Sequence, residues 1–101
     1  MDRTPIAVTH NPADSRFEAW PGGQLAECGY RLHDRLLVLH HTEVPPAAEG
    51  RGVAAALVQA ALDGARGQGL QVRPTCSYVA AYMRRHPQTL DLLQPPAAPR
   101  P

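Results

Sequence analysis

The spacing of apolar residues predicts a mixed α/β fold: a mostly antiparallel sheet that contains one parallel strand pair and is flanked by two helices. Three observations lead there. The first part of the chain places apolar residues in short runs broken by turn residues, the pattern of strands. From Gly52 to Arg66 the repeat changes, with Val53, Leu57 and Ala61 four apart and Val58 and Leu62 beside them, which makes an amphipathic helix. Strand candidates lie on both sides of that helix, so a crossover of about residues 44–71 joins two strands that run parallel.

Each element has its own signal. Pro5–Thr9 is a candidate first strand, and Asn11-Pro12-Ala13-Asp14 is a turn. Arg16–Trp20 alternates as a half-buried strand, Pro21-Gly22-Gly23 turns the chain, and Gln24–His33 alternates imperfectly, as a bulge near Gly29 would explain. Leu36-Leu37-Val38-Leu39 is continuously apolar, which predicts a central strand covered on both faces and running on to Val44. Pro45-Pro46 ends it. Gly67 and Gly69 stop the first helix, Gln71–Thr75 is another strand, and Ser77–His86 is a second helix begun by a capping serine and stopped by Pro87. Leu90, Leu92 and Leu93 form a last packing segment. The expected organisation is one domain over residues 1–94, followed by a proline-rich disordered tail over 95–101.

The 101 residues leave room for one modest core, and the hydrophobic share of 44% is ordinary for a globular protein. No apolar run approaches the roughly 20 residues that cross a bilayer, so no membrane role is expected. Met1-Asp2-Arg3-Thr4-Pro5 shows neither a signal peptide nor a transit pattern, and the expected location is the cytoplasm. A net charge of +1 with scattered arginines gives no footprint for nucleic acid. The sequence contains no lysine. Cys28 and Cys76 lie too far apart for a Cys-x-x-Cys pair, and the histidines have no ligand spacing, so no metal is expected. Oligomeric state has no signal in the sequence.

Glu49-Gly50-Arg51-Gly52-Val53-Ala54 stands where a strand has ended and a helix begins. Backbone N–H groups there lack helical acceptors and point outward, which makes an anion site, and the glycines let the chain turn tightly against a phosphate. A nucleotide P-loop would need Gly-Lys-Ser/Thr, which is missing. A dinucleotide fingerprint would need an acid about 20 residues on, and none lies near Val72. The remaining phosphate-loop reading is a coenzyme A diphosphate loop. The bland alternative is a helix-initiating turn.

Three motifs in order then carry a resemblance: His41-Thr42-Glu43-Val44-Pro45, Glu49-Gly50-Arg51-Gly52, and Cys76-Ser77-Tyr78-Val79 followed by His86-Pro87. With them the chain resembles the GNAT N-acetyltransferase superfamily, and within it the minimal single-domain branch. The resemblance implies acetyl-coenzyme A as cofactor, its diphosphate on Glu49, Gly50, Arg51, Gly52, Val53 and Ala54. It also implies pantetheine along Thr42, Glu43 and Val44, between that strand and the one ending at Cys76. It further implies an N-acetyltransferase acting on a small-molecule or peptide amine. Larger members wall the acceptor site with two helices between the first strands and with a final hairpin; here only the Pro21-Gly22-Gly23 turn and a short C-terminal segment are available, so the acceptor side is expected to be open.

An alkyl amine is mostly protonated at neutral pH, and freeing its lone pair costs roughly 4–5 kcal/mol, so a base is expected. Strict alternation sends His41 and Glu43 to one face of their strand and His40 and Thr42 to the other, making His41 the candidate base and Glu43 its orienting carboxylate. Cys76, at the end of the neighbouring strand and the start of a helix, is expected near His41 as a candidate nucleophile, although a packed cysteine is the plain alternative. Tyr78 and Tyr82 stand one helical turn apart; the resemblance implies that one of them faces the leaving thiolate, and Tyr82 is the candidate, with Tyr78 assigned to packing. His10, His33, His40 and His86 are read as structural or solvated. The preferred chemistry is base-assisted direct attack of the amine. The rival from another class is a non-catalytic acyl-coenzyme A sensor or protein-interaction module.

Overall fold

The computed structural model describes residues 6–94. Its strands are β1 (Thr9–Asn11), β2 (Arg16–Ala19), β3 (Ala26–His33), β4 (Leu36–Glu43) and β5 (Gln71–Pro74), and its helices are α1 (Val53–Gly67) and α2 (Ser77–Arg85). The sheet order follows the chain, β1-β2-β3-β4-β5. The first four strands are antiparallel neighbours, and β4 and β5, joined through α1, run parallel. This is the mixed fold that the sequence predicts. Among the described residues no helix is long and apolar enough to cross a membrane.

Two boundaries differ from expectation. The first strand is Thr9–Asn11, not Pro5–Thr9, because Asn11 caps the next turn: its Oδ1 accepts from the Asp14 amide at 3.2 Å, so the strand runs up to Pro12. Pro5 and the expected tail at 95–101 lie outside the described residues. The cap of α2 is Cys76, and Ser77 is its first helical residue.

Both helices lie on one side of the sheet. On that side Phe17 pairs with Cys28 and Tyr30 with Leu39, and the Phe17 ring reaches Gly64 of α1. Leu57, Val58 and Ala61 of α1 are completely buried against this surface, together with Leu39 and Val72. Burying a leucine side chain such as Leu57 contributes about 1.5–3 kcal/mol, so the apolar stripe of α1 fixes the helix to the sheet. The opposite side of the sheet is bare: Arg31, His33, His41, Glu43 and Arg73 are exposed there. The apolar run Leu36–Leu39 is therefore covered fully on one face only, with Leu37 and Leu39 buried and Leu36 and Val38 partly open.

Two irregularities shape β4. Tyr30 of β3 pairs with Leu39, but the next residue back, Gly29, pairs with His41, so His40 is an extra residue bulged out of β4. The irregularity falls beside Gly29, as expected, yet the inserted residue belongs to the partner strand. The second is a divergence. Pairing of β4 with β5 ends at Leu39 opposite Pro74, and the Leu39 carbonyl accepts from the amides of Thr75 and Cys76 at 3.1 and 3.2 Å. From there the chain turns away into α2 while β4 continues to Glu43, so no strand of the described residues lies beside His40–Glu43 on that side.

Candidate active site

At the end of β4, Pro45 and Pro46 stop the strand and the chain makes a short turn over Pro46–Ala48. Gly50 and Gly52 follow, both with φ of +79°, a left-handed conformation that glycine adopts at little cost and other residues do not. Gly52 is the N-cap of α1 and has no side chain to bond the first-turn amides, which also lack intrahelical partners. They border a cleft of about 290 Å³ lined by Val44, Ala48, Glu49, Gly50, Gly52, Val53–Ala55 and Tyr78. The first turn of α1 carries no acidic residue. Donors, dipole and room for an anion thus converge there. Of the residues expected around the cofactor, Val44, Glu49, Gly50, Gly52, Val53 and Ala54 line this cleft, whereas Thr42 and Glu43 of β4 and the exposed Arg51 do not.

On the helix-covered face, Thr42 sits directly opposite Cys28, and its Oγ1 lies 3.7 Å from the sulfur of Cys76. The two thiols respond differently to this shared neighbour. Burial pushes Cys28 up to about 11, with the charges of Cys76 and Glu27 adding to it and the Thr42 hydroxyl opposing. Burial also acts to raise Cys76, but the amides of Val79 and Tyr78 and the hydroxyl and backbone of Thr42 together outweigh it, and its pKa is lowered from the ordinary thiol value. The sulfur makes no full capping hydrogen bond to α2; the start of the helix simply faces it. Cys76 is therefore the more readily ionised thiol and the more accessible one.

On the bare face stand the imidazoles. The Nε2 of His41 lies 3.4 Å from Glu43, and both side chains are largely exposed. A Cβ placed on Gly29, which would point to this face, would meet the His40 ring at 3.5 Å and the Cβ of His41 at 3.7 Å, so both histidines project here. The bulge therefore corrects two expectations. His40 sides with His41, and His41 and Glu43 stand across the sheet from Cys76, whose neighbour on β4 is Thr42. The structure keeps the expected pairing of His41 with Glu43 and separates that pair from the thiol.

The tyrosines also exchange places. Tyr82 is buried, its hydroxyl donates to the Gln59 side-chain oxygen of α1, and its ring stacks on His86 with centroids 3.9 Å apart. Tyr78, one turn earlier, lines the cleft. The signal that could have chosen Tyr78 is its position in the first turn of α2, two residues after Cys76. Among the described residues no group of three or more His, Cys, Asp or Glu is gathered as around a metal ion.

The chain is similar to known proteins in sequence and in fold. Residues 16–92 match the family described as GCN5-related N-acetyl-transferase. The chain is 44% identical to Protein NATD1 of Mus musculus over 104 aligned residues, covering 90% of this chain and 87% of that one. The human Protein NATD1 is also 44% identical, with 90% and 85% covered. A solution structure from Staphylococcus aureus, described as GCN5-like, superimposes with a TM-score of 0.65 at 20% identity over 90% of each chain, a likeness of fold. By the family match over most of its length, the chain belongs to the GCN5-related N-acetyltransferase family.

Proposed function

We propose that the protein transfers an acetyl group from acetyl-coenzyme A to a primary amine that approaches from the helix-free face of the sheet. The observation that carries this reading is the continuity of two features: the uncapped start of α1 and the free main-chain edge of β4. The amides from Gly52 to Ala55 suit a diphosphate, and the edge from Glu43 back to His40 offers unpaired backbone groups to the amides of a pantetheine arm. The edge is four residues long, about 13 Å at the rise of a strand. Pantetheine spans about twelve backbone bonds, the length of roughly four residues, so cleft and edge together match it. When bound, acetyl-coenzyme A supplies the activated acyl group as a thioester.

The protein's own groups divide between the two faces. The imidazoles of β4, with His41 held to Glu43, receive the proton that the ammonium must lose before its nitrogen can attack. On the other face Tyr78 packs the cleft wall, and the Cys76 thiol lies at the diverging end of β5, placed to donate a hydrogen bond toward a departing sulfur. Attack by the amine needs no covalent relay through Cys76, because a deprotonated amine is itself a competent nucleophile.

The deciding experiment measures release of free coenzyme A thiol from acetyl-coenzyme A across an array of small amines and peptides with free N-termini. Release that requires a particular amine, with the acetyl group recovered on it, supports the transferase. Binding of acetyl-coenzyme A without release for any amine would replace this reading with a non-catalytic acyl-coenzyme A sensor. No binding at all would remove both.

A further inference from the structure

Resting on the acetyl-transfer reading, we propose that His40, the residue inserted by the bulge in β4, takes the proton from the acceptor amine. The bond from the Leu39 carbonyl to the amides of Thr75 and Cys76 closes the narrow end of the gap between β4 and β5. His40 is the first residue past that point, so it stands at the vertex of the gap. Were a pantetheine arm held along the free edge from the cleft, Glu43, Thr42 and His41 would flank it in turn and His40 would stand nearest its acyl end. His41, taken above as the paired imidazole, lies one residue short of that end.

The bulge gives the vertex residue its direction. Both histidine rings leave β4 on the helix-free side, with centroids 6.5 Å apart and planes inclined by 26°. The His40 ring leans over Gly29 of β3, the neighbour of β4 on the side away from the gap, and turns about its exposed side-chain bonds to face an amine above the gap. His40 is exposed, so an amine reaching the gap from solvent meets it without passing through the core. His41 engages Glu43. The ammonium gives one proton to a ring nitrogen of His40, and the freed lone pair forms the C–N bond to the thioester carbon. The C–S pair leaves with the coenzyme sulfur, which takes the second proton lost by nitrogen. His40 then passes its proton to water or to the adjacent His41.

The first test uses the full chain and needs no acceptor: the ring Cε1–Hε1 NMR signals of His40 and His41 are followed on addition of coenzyme A and, separately, of acetyl-coenzyme A. The difference between the two ligands reports the acetyl group, and it is expected to be larger at His40 than at His41. A difference centred on His41, or absent from both while the Gly50–Ala54 amides respond, would overturn the assignment. Amides at Gly50–Ala54 that do not respond to either ligand would show instead that the cofactor reading has failed, and this proposal with it. With an acceptor in hand, His40→Gln is expected to lower kcat by about a hundredfold or more while leaving acetyl-coenzyme A affinity unchanged, and His41→Gln to lower it less. Unchanged kcat in His40→Gln with normal coenzyme affinity would also overturn the proposal.

Discussion

A glycine-to-alanine change at Gly52 should destabilise the protein, and the same change at Gly67 should stabilise it. Gly52 holds φ at +79° with nothing within 4 Å of where a Cβ would stand, so an added methyl group meets no neighbour and its cost is backbone strain alone. That strain is about 1–2 kcal/mol for a left-handed residue. Gly67 ends α1 with equally open space and without a left-handed φ, so alanine there gains about 0.5–1 kcal/mol by restricting the unfolded chain. In a domain of this size each kcal/mol moves Tm by about 4–8 °C. Thermal melts followed by circular dichroism should therefore show Gly52→Ala about 4–16 °C below the wild type and Gly67→Ala about 2–8 °C above it. Repeating the melts with coenzyme A at a hundredfold excess over Kd should stabilise the wild type by about 2.7 kcal/mol and Gly67→Ala equally. Gly52→Pro fixes φ near −65° and removes an amide, so it should lose the coenzyme-dependent shift. Two alanine variants that move in the same direction would refute the strain argument; a full coenzyme shift in Gly52→Pro would refute the anion site.

Three further outcomes follow from the side-chain geometry. At pH 7–8, iodoacetamide should label Cys76 well before Cys28, and acetyl-coenzyme A should protect Cys76; an acetyl group that appears on Cys76, is cleaved by hydroxylamine and passes to acceptor at the turnover rate would replace direct attack with a covalent route. Tyr82→Phe should cost about 0.5–1.5 kcal/mol in denaturant unfolding with coenzyme affinity intact, whereas Tyr78→Ala should weaken coenzyme binding, and the reverse pattern would return Tyr82 to the cleft. Hydrogen bonds from Asn11 and Arg16 hold the Glu18 carboxylate below its ordinary value of 4.5, so its contribution is complete above that pH and fades as the pH falls toward the lower folded-state pKa. Acid titrations of stability should therefore be shallower below pH 4.5 in Glu18→Gln than in the wild type, and parallel curves would refute it.

What was legible in the sequence was what local pattern encodes. The stripe Val53, Leu57, Ala61 required α1, and the paired glycines before it required an unusual turn, because each signal is contained within one helix or one turn of chain. Which tyrosine of α2 reaches the cleft was less visible. Tyr78 and Tyr82 share a helix face, and only the position of the helix start relative to the glycine turn separates them. The apolar run Leu36–Leu39 suggested cover on both faces, whereas the number of layers over a strand is decided by the helices available, and both α1 and α2 pack on one side.

Which strand carries the bulge was the least legible feature, and it has the largest consequence. Strict alternation counted from Leu39, which faces the helices, would turn His41 and Glu43 toward the helices and Thr42 outward. That is the arrangement in which His41 meets Cys76. The inserted His40 reverses everything after it, so Thr42 reaches the thiol and the imidazoles and Glu43 face solvent. An insertion of this kind is defined by the register with β3, through the pairs Tyr30 with Leu39 and Gly29 with His41, and nothing in the string His40-His41-Thr42-Glu43 announces it. One residue therefore places the Cys76 thiol on one side of the sheet and the imidazoles of His40 and His41 on the other.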